Sequence, residues 1–239
     1  MPGRHKPGMG TYYPAMLKPH GSVPHGSSHP DIDINSITVP SLDEYNKRLC
    51  HVLGSTSVHR HRETGICKPL IVSALSKTIP VPKCFPADTM HLFELNISQL
   101  LVSLWRGNID HAQDDNPTIW PFAVLHDDVV WRAHGASVAG AGPYLPVCLK
   151  SRVPRNPAEK ISSRYKAVEY LVYIFALLYH LLPQKFYYHF CKLIFAMRVI
   201  HRHHKSKYNL LAAHKVFIEF VYKFEVLYYK RNLKSLHFI

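Results

Sequence analysis

Pro183 constrains the fold of this chain more than any other single residue. It has no N–H to donate, and its ring clashes with the preceding helical turn, so helical patterns on its two sides belong to separate helices. Upstream, Asn156-Pro157-Ala158-Glu159 reads as a helix start: Asn caps, Pro takes the first helical position and Glu follows three residues after the cap. That predicts a helix from Asn156 to about Leu182. Downstream, apolar spacing predicts one helix from about Gln184 to Ile200. It predicts another from about Asn209 to Arg231, with His214, Phe217, Val221, Phe224 and Tyr228 on one face. Long helices joined by short breaks bury such faces against one another, which predicts an antiparallel bundle. The apolar run Leu171–Leu182 is interrupted by Tyr173, Tyr179 and His180 and is shorter than the ~20 residues a membrane span requires. It predicts a buried core helix, with a membrane-associated helical protein as the less favoured reading.

The first half is loop-rich. Residues 1–40 abound in Pro, Gly, His and Ser and predict an extended segment. Ser41-Leu42-Asp43-Glu44 has the form of a capping box, and Leu42, Tyr45, Leu49 and Val52 continue at helical spacing to about Leu53. Leu70–Leu75 fits a short strand or a turn of helix. A second helix is expected to open at Asp88, carry Phe93, Ile97, Leu100, Leu101 and Leu104 on one stripe, and stop at Gly107. A third is expected over Phe122–His134, followed by a Gly/Ala/Pro-rich loop from Gly135 to Pro146. The organisation read from the sequence is 1–40 extended, 41–149 with a few helices, and 150–239 a basic helical bundle, mainly α throughout.

Charge separates the two parts. Residues 1–149 carry 12 Lys and Arg against 12 Asp and Glu, whereas residues 150–239 carry 17 against 4, so the entire net charge of +13 lies in the last part. Such an excess attracts polyanions, though it says nothing about fold. The five cysteines, Cys50, Cys67, Cys84, Cys148 and Cys191, are odd in number and form no CxxC. They predict reduced, mostly buried thiols in an intracellular setting, nuclear or cytoplasmic. Met1–Gly10 lacks an apolar run, so no signal peptide is read, and the sequon Asn96-Ile97-Ser98 is read as chance. His201 and His204 have the spacing of helical metal ligands; a basic helix end is the competing reading. The carboxylate pairs Asp114–Asp115 and Asp127–Asp128 point apart on a helix and read as solvated residues. No phosphate loop, nucleophile elbow or dinucleotide fingerprint is present in the sequence.

Several ordered segments carry a resemblance. Phe85-Pro86-Ala87-Asp88-Thr89-Met90-His91-Leu92, Leu104-Trp105-Arg106-Gly107 and Arg155-Asn156-Pro157-Ala158-Glu159-Lys160-Ile161 resemble the transposases of CACTA (En/Spm-type) DNA transposons, above all the fungal form. Gly3-Arg4-His5-Lys6-Pro7-Gly8, His29-Pro30-Asp31-Ile32-Asp33-Ile34 and Glu63-Thr64-Gly65-Ile66-Cys67-Lys68-Pro69 extend the likeness, as do Phe190-Cys191-Lys192-Leu193 and Leu236-His237-Phe238. The resemblance implies an RNase H-like core, of which residues 41–149 would hold a remnant edge. It also implies divalent metal, Mg2+, for phosphodiester cleavage in the complete parent enzyme.

By that resemblance Asp88 aligns with a catalytic metal ligand, His91 with a residue orienting the acid or a phosphate, and Glu94 with a weaker acidic candidate. Read from the sequence pattern alone, Asp88 is equally a helix cap. Most of the catalytic core is expected to precede Met1, and the family continues past Phe238, so the chain is expected to be a fragment or decayed copy without catalysis of its own. Weak, non-specific DNA association is expected through residues 150–239, with Arg152, Arg155, Lys160, Arg164 and Lys166 as the foremost phosphate contacts. The alternative is an interaction module whose Phe217, Val221 and Phe224 seam pairs with the missing transposase core or with a second copy. No cofactor is expected for the fragment, and no membrane partner.

Overall fold

The structure, a computed structural model, describes residues 4–5, 11–12, 16–18, 20, 30–38, 41–54, 64–69, 79, 81, 84, 92, 96–109, 111, 114–144, 156–159 and 176–232. It is mainly helical. The chain divides into two compact units, Met1–Ala87 and Asp88–Phe238.

In the first unit, β1 (Arg4–His5) and β2 (Thr11–Tyr12) form a minimal antiparallel pair with Arg4 opposite Tyr12. The Lys18 amide donates to Asp31 Oδ1 at 2.7 Å and the Ile32 amide to the Met16 carbonyl at 2.8 Å, tying two extended stretches together. Asp33 caps a single 3-10 turn, Ile34–Ser36, by accepting from the Asn35 amide. Helix α1 runs Leu42–Gly54, as the capping pattern predicts. Ser41 Oγ accepts from the Glu44 amide at 3.1 Å, while the Glu44 carboxylate pairs with Arg48 one turn on. Leu70–Leu75, left open between strand and helix, lies outside the described residues.

The second unit is built around one aromatic core. Helix α2 (Ser98–Arg106) is led in by a π-helical turn at Asn96 and Ile97 and ends at Gly107, whose φ of 67° is left-handed. The Gly107 amide bonds to the Leu104 carbonyl and the Asn108 amide to the Ser103 carbonyl, closing the helix end. A side chain at Gly107 would also place its Cβ 2.9 Å from His126 Nδ1. Asn96 and Ile97 thus belong to a helical lead-in, with Asn96 exposed and Ser98 buried.

Helix α3 runs Asp128–Ala141, displaced from the expected Phe122–His134. Phe122 and Leu125 are buried from a series of turns and do not belong to a helix. Asp127 then starts the helix by accepting from the Val129 and Val130 amides at 2.6 and 3.2 Å. The helix also continues through Gly135 and Gly140, where a loop was expected. At Gly135 a Cβ would lie 2.1 Å from Asn156 Oδ1 and 2.8 Å from the Ala158 Cβ, so glycine serves close approach there and ends nothing.

Asn156 makes the expected cap-type bond, its Oδ1 accepting from the Ala158 amide at 2.9 Å. The expected helix does not reach Leu182, because Ala176–Leu182 is a run of turns. Its bonds are mostly of the tighter three-residue kind, Tyr179 to Ala176 and Leu181 to Leu178, and they bring Leu178 and Leu182 into the core just before Pro183.

Beyond Pro183, α4 (Gln184–Ile200) and α5 (Lys207–Phe224) form a helical hairpin. The pairings fix its direction: His189 with Phe220, Lys192 with Glu219, and Ala196 and Val199 with Ala213 run oppositely along the two helices. This is the antiparallel packing the sequence predicts. Ala196 and Ala213, both buried, let the helices approach closely near the turn. Beyond α5, Glu225–Tyr229 continues as a π turn that ends in left-handed Lys230 and Arg231, with φ of 52° and 56°.

Trp105 meets Phe190 edge-on at 5.0 Å, and Phe122, Phe186 and Tyr228 form a triangle of rings 4.9–5.7 Å apart. Each such buried ring contributes roughly 1.5–3 kcal/mol by leaving water. The seam through Phe217, Val221 and Phe224 packs against this same core, and Tyr228 lies inside it. Those residues are therefore partly covered by their own chain, and His214, the first of the set, is exposed. Residues on both sides of 149/150 share the core, so that boundary divides charge and does not divide packing.

Candidate nucleic-acid interface

Asp88, His91 and Glu94 lie outside the described residues, as do Arg152, Arg155, Lys160, Arg164 and Lys166. Among the described residues no group of three His, Cys, Asp or Glu side chains could hold a metal ion. The acidic residues that the resemblance assigns to a divalent ion, Asp88 and Glu94, are not among those described. His201 and His204 do not form a helical pair. Helix α4 stops at Ile200, His201 is its closing residue and bonds back to the Met197 carbonyl, and His204 falls in the connecting turn.

The remaining chemical candidates resolve into structural roles. Trp105, Arg106 and Gly107 form a corner: the indole is buried, the glycine turns the chain, and the Arg106 guanidinium sits 5.0 Å over the Trp131 ring. Arg106 Nη1 also donates to the Leu125 carbonyl and to Asp128 Oδ1, each at 3.2 Å. Asp127 is a helix cap, and Asp115 accepts from the Trp120 indole at 2.8 Å. Neither carboxylate pair is arranged to share a cation.

Burial lowers the pKa of His134 to about 4. His189 is likewise held at about 4, chiefly by burial, with smaller contributions from Lys192 and Lys223 opposing the Phe220 carbonyl bond. Its neutral ring donates Nε2–H to the Phe220 carbonyl at 2.9 Å and stacks on the Phe220 ring at 4.3 Å. Both histidines are core residues at neutral pH. The Cys191 thiol is pushed up by burial, opposed by the Tyr187 hydroxyl, which leaves it a poor nucleophile. Cys50 and Cys67 are exposed, against the expectation of mostly buried thiols. They sit in polar surroundings of α1 and the Thr64–Pro69 stretch and do not help build a core.

What the described structure does concentrate is positive charge. From Gln184 to Arg231 the chain carries ten Lys and Arg and two acids. Glu225 is buried, and Glu219 accepts a hydrogen bond from Lys192, which holds its carboxyl below the usual range. Lys185, Arg198, Arg202, Lys205, Lys207, Lys215 and Lys223 are exposed along and around the hairpin. The turn His201–Lys207 is the densest part, capped into α5 by Ser206, whose Oγ accepts from the Asn209 amide at 3.1 Å. Among the described residues no helix is long and apolar enough to cross a membrane.

The sequence reading spread the cationic site over residues 150–239 and singled out Arg152–Lys166, which lie outside the described residues. The available signal was the absence of aspartate after residue 150 together with a run of cations between two apolar helices. Comparison with family models, with curated proteins and with solved structures finds no match to the chain.

Proposed function

We propose that this chain associates with DNA non-specifically, as a non-catalytic relative of CACTA-type transposases, through the basic surface of the α4–α5 hairpin. One observation carries the reading: from Gln184 to Phe224 the hairpin has eight cations against a single acid, Glu219, which is bonded to Lys192. A surface of this kind neutralises phosphates and releases their counterions, a mode that requires no base-specific contact. The ordered likeness to transposase segments supports DNA as the polyanion, and a nuclear or cytoplasmic location goes with that reading.

The test is retention of a labelled DNA duplex by the full chain across a salt series. If about six phosphates are engaged, affinity falls roughly a thousandfold between about 50 and 200 mM salt. Absence of retention at about 50 mM salt would refute the proposal. Binding with a flat salt dependence would also refute it, because contacts to phosphate would then not be driving association.

A further inference from the structure

The outward surface of the hairpin is not uniformly polar. On α4, Lys185, Tyr188, Lys192 and Phe195 follow at spacings of three, four and three, which places them on one stripe. Tyr188 is 55% exposed and Phe195 47%. On α5, Tyr208, Lys215 and Tyr222 share a second stripe, with Tyr208 80% and Tyr222 50% exposed. Cations and aromatic rings thus share the solvent side of both helices, with Leu211 and the Lys192-bonded Glu219 also on the α5 stripe. Tyr188 accepts a hydrogen bond from Gln184 Nε2 at 2.9 Å, and Lys192 of the same stripe bonds to Glu219 of α5, tying the two helices together.

Neutralising phosphate engages only the cations of such a surface, whereas exposed rings add faces on which bases can stack. Paired DNA hides the faces of its bases, whereas single strands offer them to aromatic side chains beside a cationic track. A second copy of the hairpin would bring two strongly positive surfaces together. A bilayer would require a continuous apolar face, and Lys215 interrupts the stripe that Leu211 and Val226 also share. The stripe from Tyr208 to Tyr222 is ~21 Å long at helical rise, enough for several nucleotides.

We infer that the outward face of the α4–α5 hairpin binds single-stranded DNA, with bases stacking on Tyr208, Tyr222 and Tyr188 and phosphates following Lys215 and Lys185. This deepens the proposal of DNA association and rests on it. The experiment compares three ligands of about 20 nucleotides with the full chain: an oligo-dT strand, an abasic strand of equal charge, and a duplex, all longer than the ~4–16-nucleotide footprint typical of a stacking groove.

Oligo-dT is expected to bind tighter than the abasic strand by roughly tenfold or more, and Tyr208→Leu and Tyr222→Leu each to weaken oligo-dT by roughly 5- to 100-fold while leaving the abasic strand unchanged. Tyr222→Phe keeps the ring and retains binding, which separates stacking from a folding defect. Lys215→Gln weakens both strands and lowers the salt slope for a single strand by about 0.7. Equal affinity for oligo-dT and the abasic strand overturns the stacking inference and leaves phosphate association standing. A preference for duplex does the same. Tighter binding to phosphatidylserine vesicles than to oligo-dT overturns it in favour of a lipid surface, and failure to bind any of these anions overturns both readings.

Discussion

The Arg106 corner and the α4–α5 hairpin treat positive charge in opposite ways. At the corner a single guanidinium meets a carbonyl, a carboxylate and an indole face, and these contacts join α2 to α3. On the hairpin eight cations share one acid, Glu219, which is bonded to Lys192. Counting charge along the chain cannot separate these cases; accounting for partners does. The first cation belongs to the architecture, whereas Lys185, Lys205, Lys207, Lys215 and Lys223 stand exposed on the surface.

The contrast can be broken or sharpened by substitution. The largest effect is expected where both regions meet in the core: Phe190→Ala removes a fully buried ring facing Trp105 and should cost about 3–5 kcal/mol in a urea melt. Acid should act next, through His134 and His189. Their folded pKa values lie below the unfolded value, so the unfolded chain takes up protons first; stability is intact above about pH 6.5 and is lost as pH falls toward 4. Each can contribute a loss of about 3 kcal/mol at most over that range, and His189→Phe should flatten the dependence when Tm is followed against pH.

Gly135→Ala should cost about 1–3 kcal/mol, since the added carbon would press on Asn156 and on the Ala158 backbone amide at 3.0 Å. Arg106→Met should cost about 1–2 kcal/mol through the lost carbonyl bond and ring contact, with little change in DNA affinity. A comparable loss of DNA binding in that variant would erase the distinction between the two regions.

How much of this could be read from the sequence differs by element. Helix α4 spans the predicted Gln184–Ile200 because Pro183 and the basic turn bracket a clear helical pattern. Helix α5 begins at Lys207, two residues before the expected Asn209, because the Ser206 hydroxyl is the cap and Asn209 only donates to it. Around Phe122–Leu125 the apolar spacing imitated a helix, yet those side chains reach the core from turns and Asp127 sets the true start. Gly135 was read as a helix end because glycine is ambiguous in sequence; only the neighbouring Asn156 shows that it answers a steric demand. Of the site, the net charge and its location in the last part were legible. The sharing of the solvent side by rings and cations was not, because it depends on which helix faces the core covers.

The aromatic contact between Trp105 and Phe190 joins residues 85 positions apart in the chain, whereas His189 and Phe220 are separated by 31. Loop closure grows more costly with that separation, and distant contacts are made late in folding. Once formed, the hairpin therefore offers a template onto which the Trp105 segment docks. Ala213→Gly should slow folding, while Trp105→Phe should mainly quicken unfolding in stopped-flow chevrons; the reverse assignment would place the nucleus in α2.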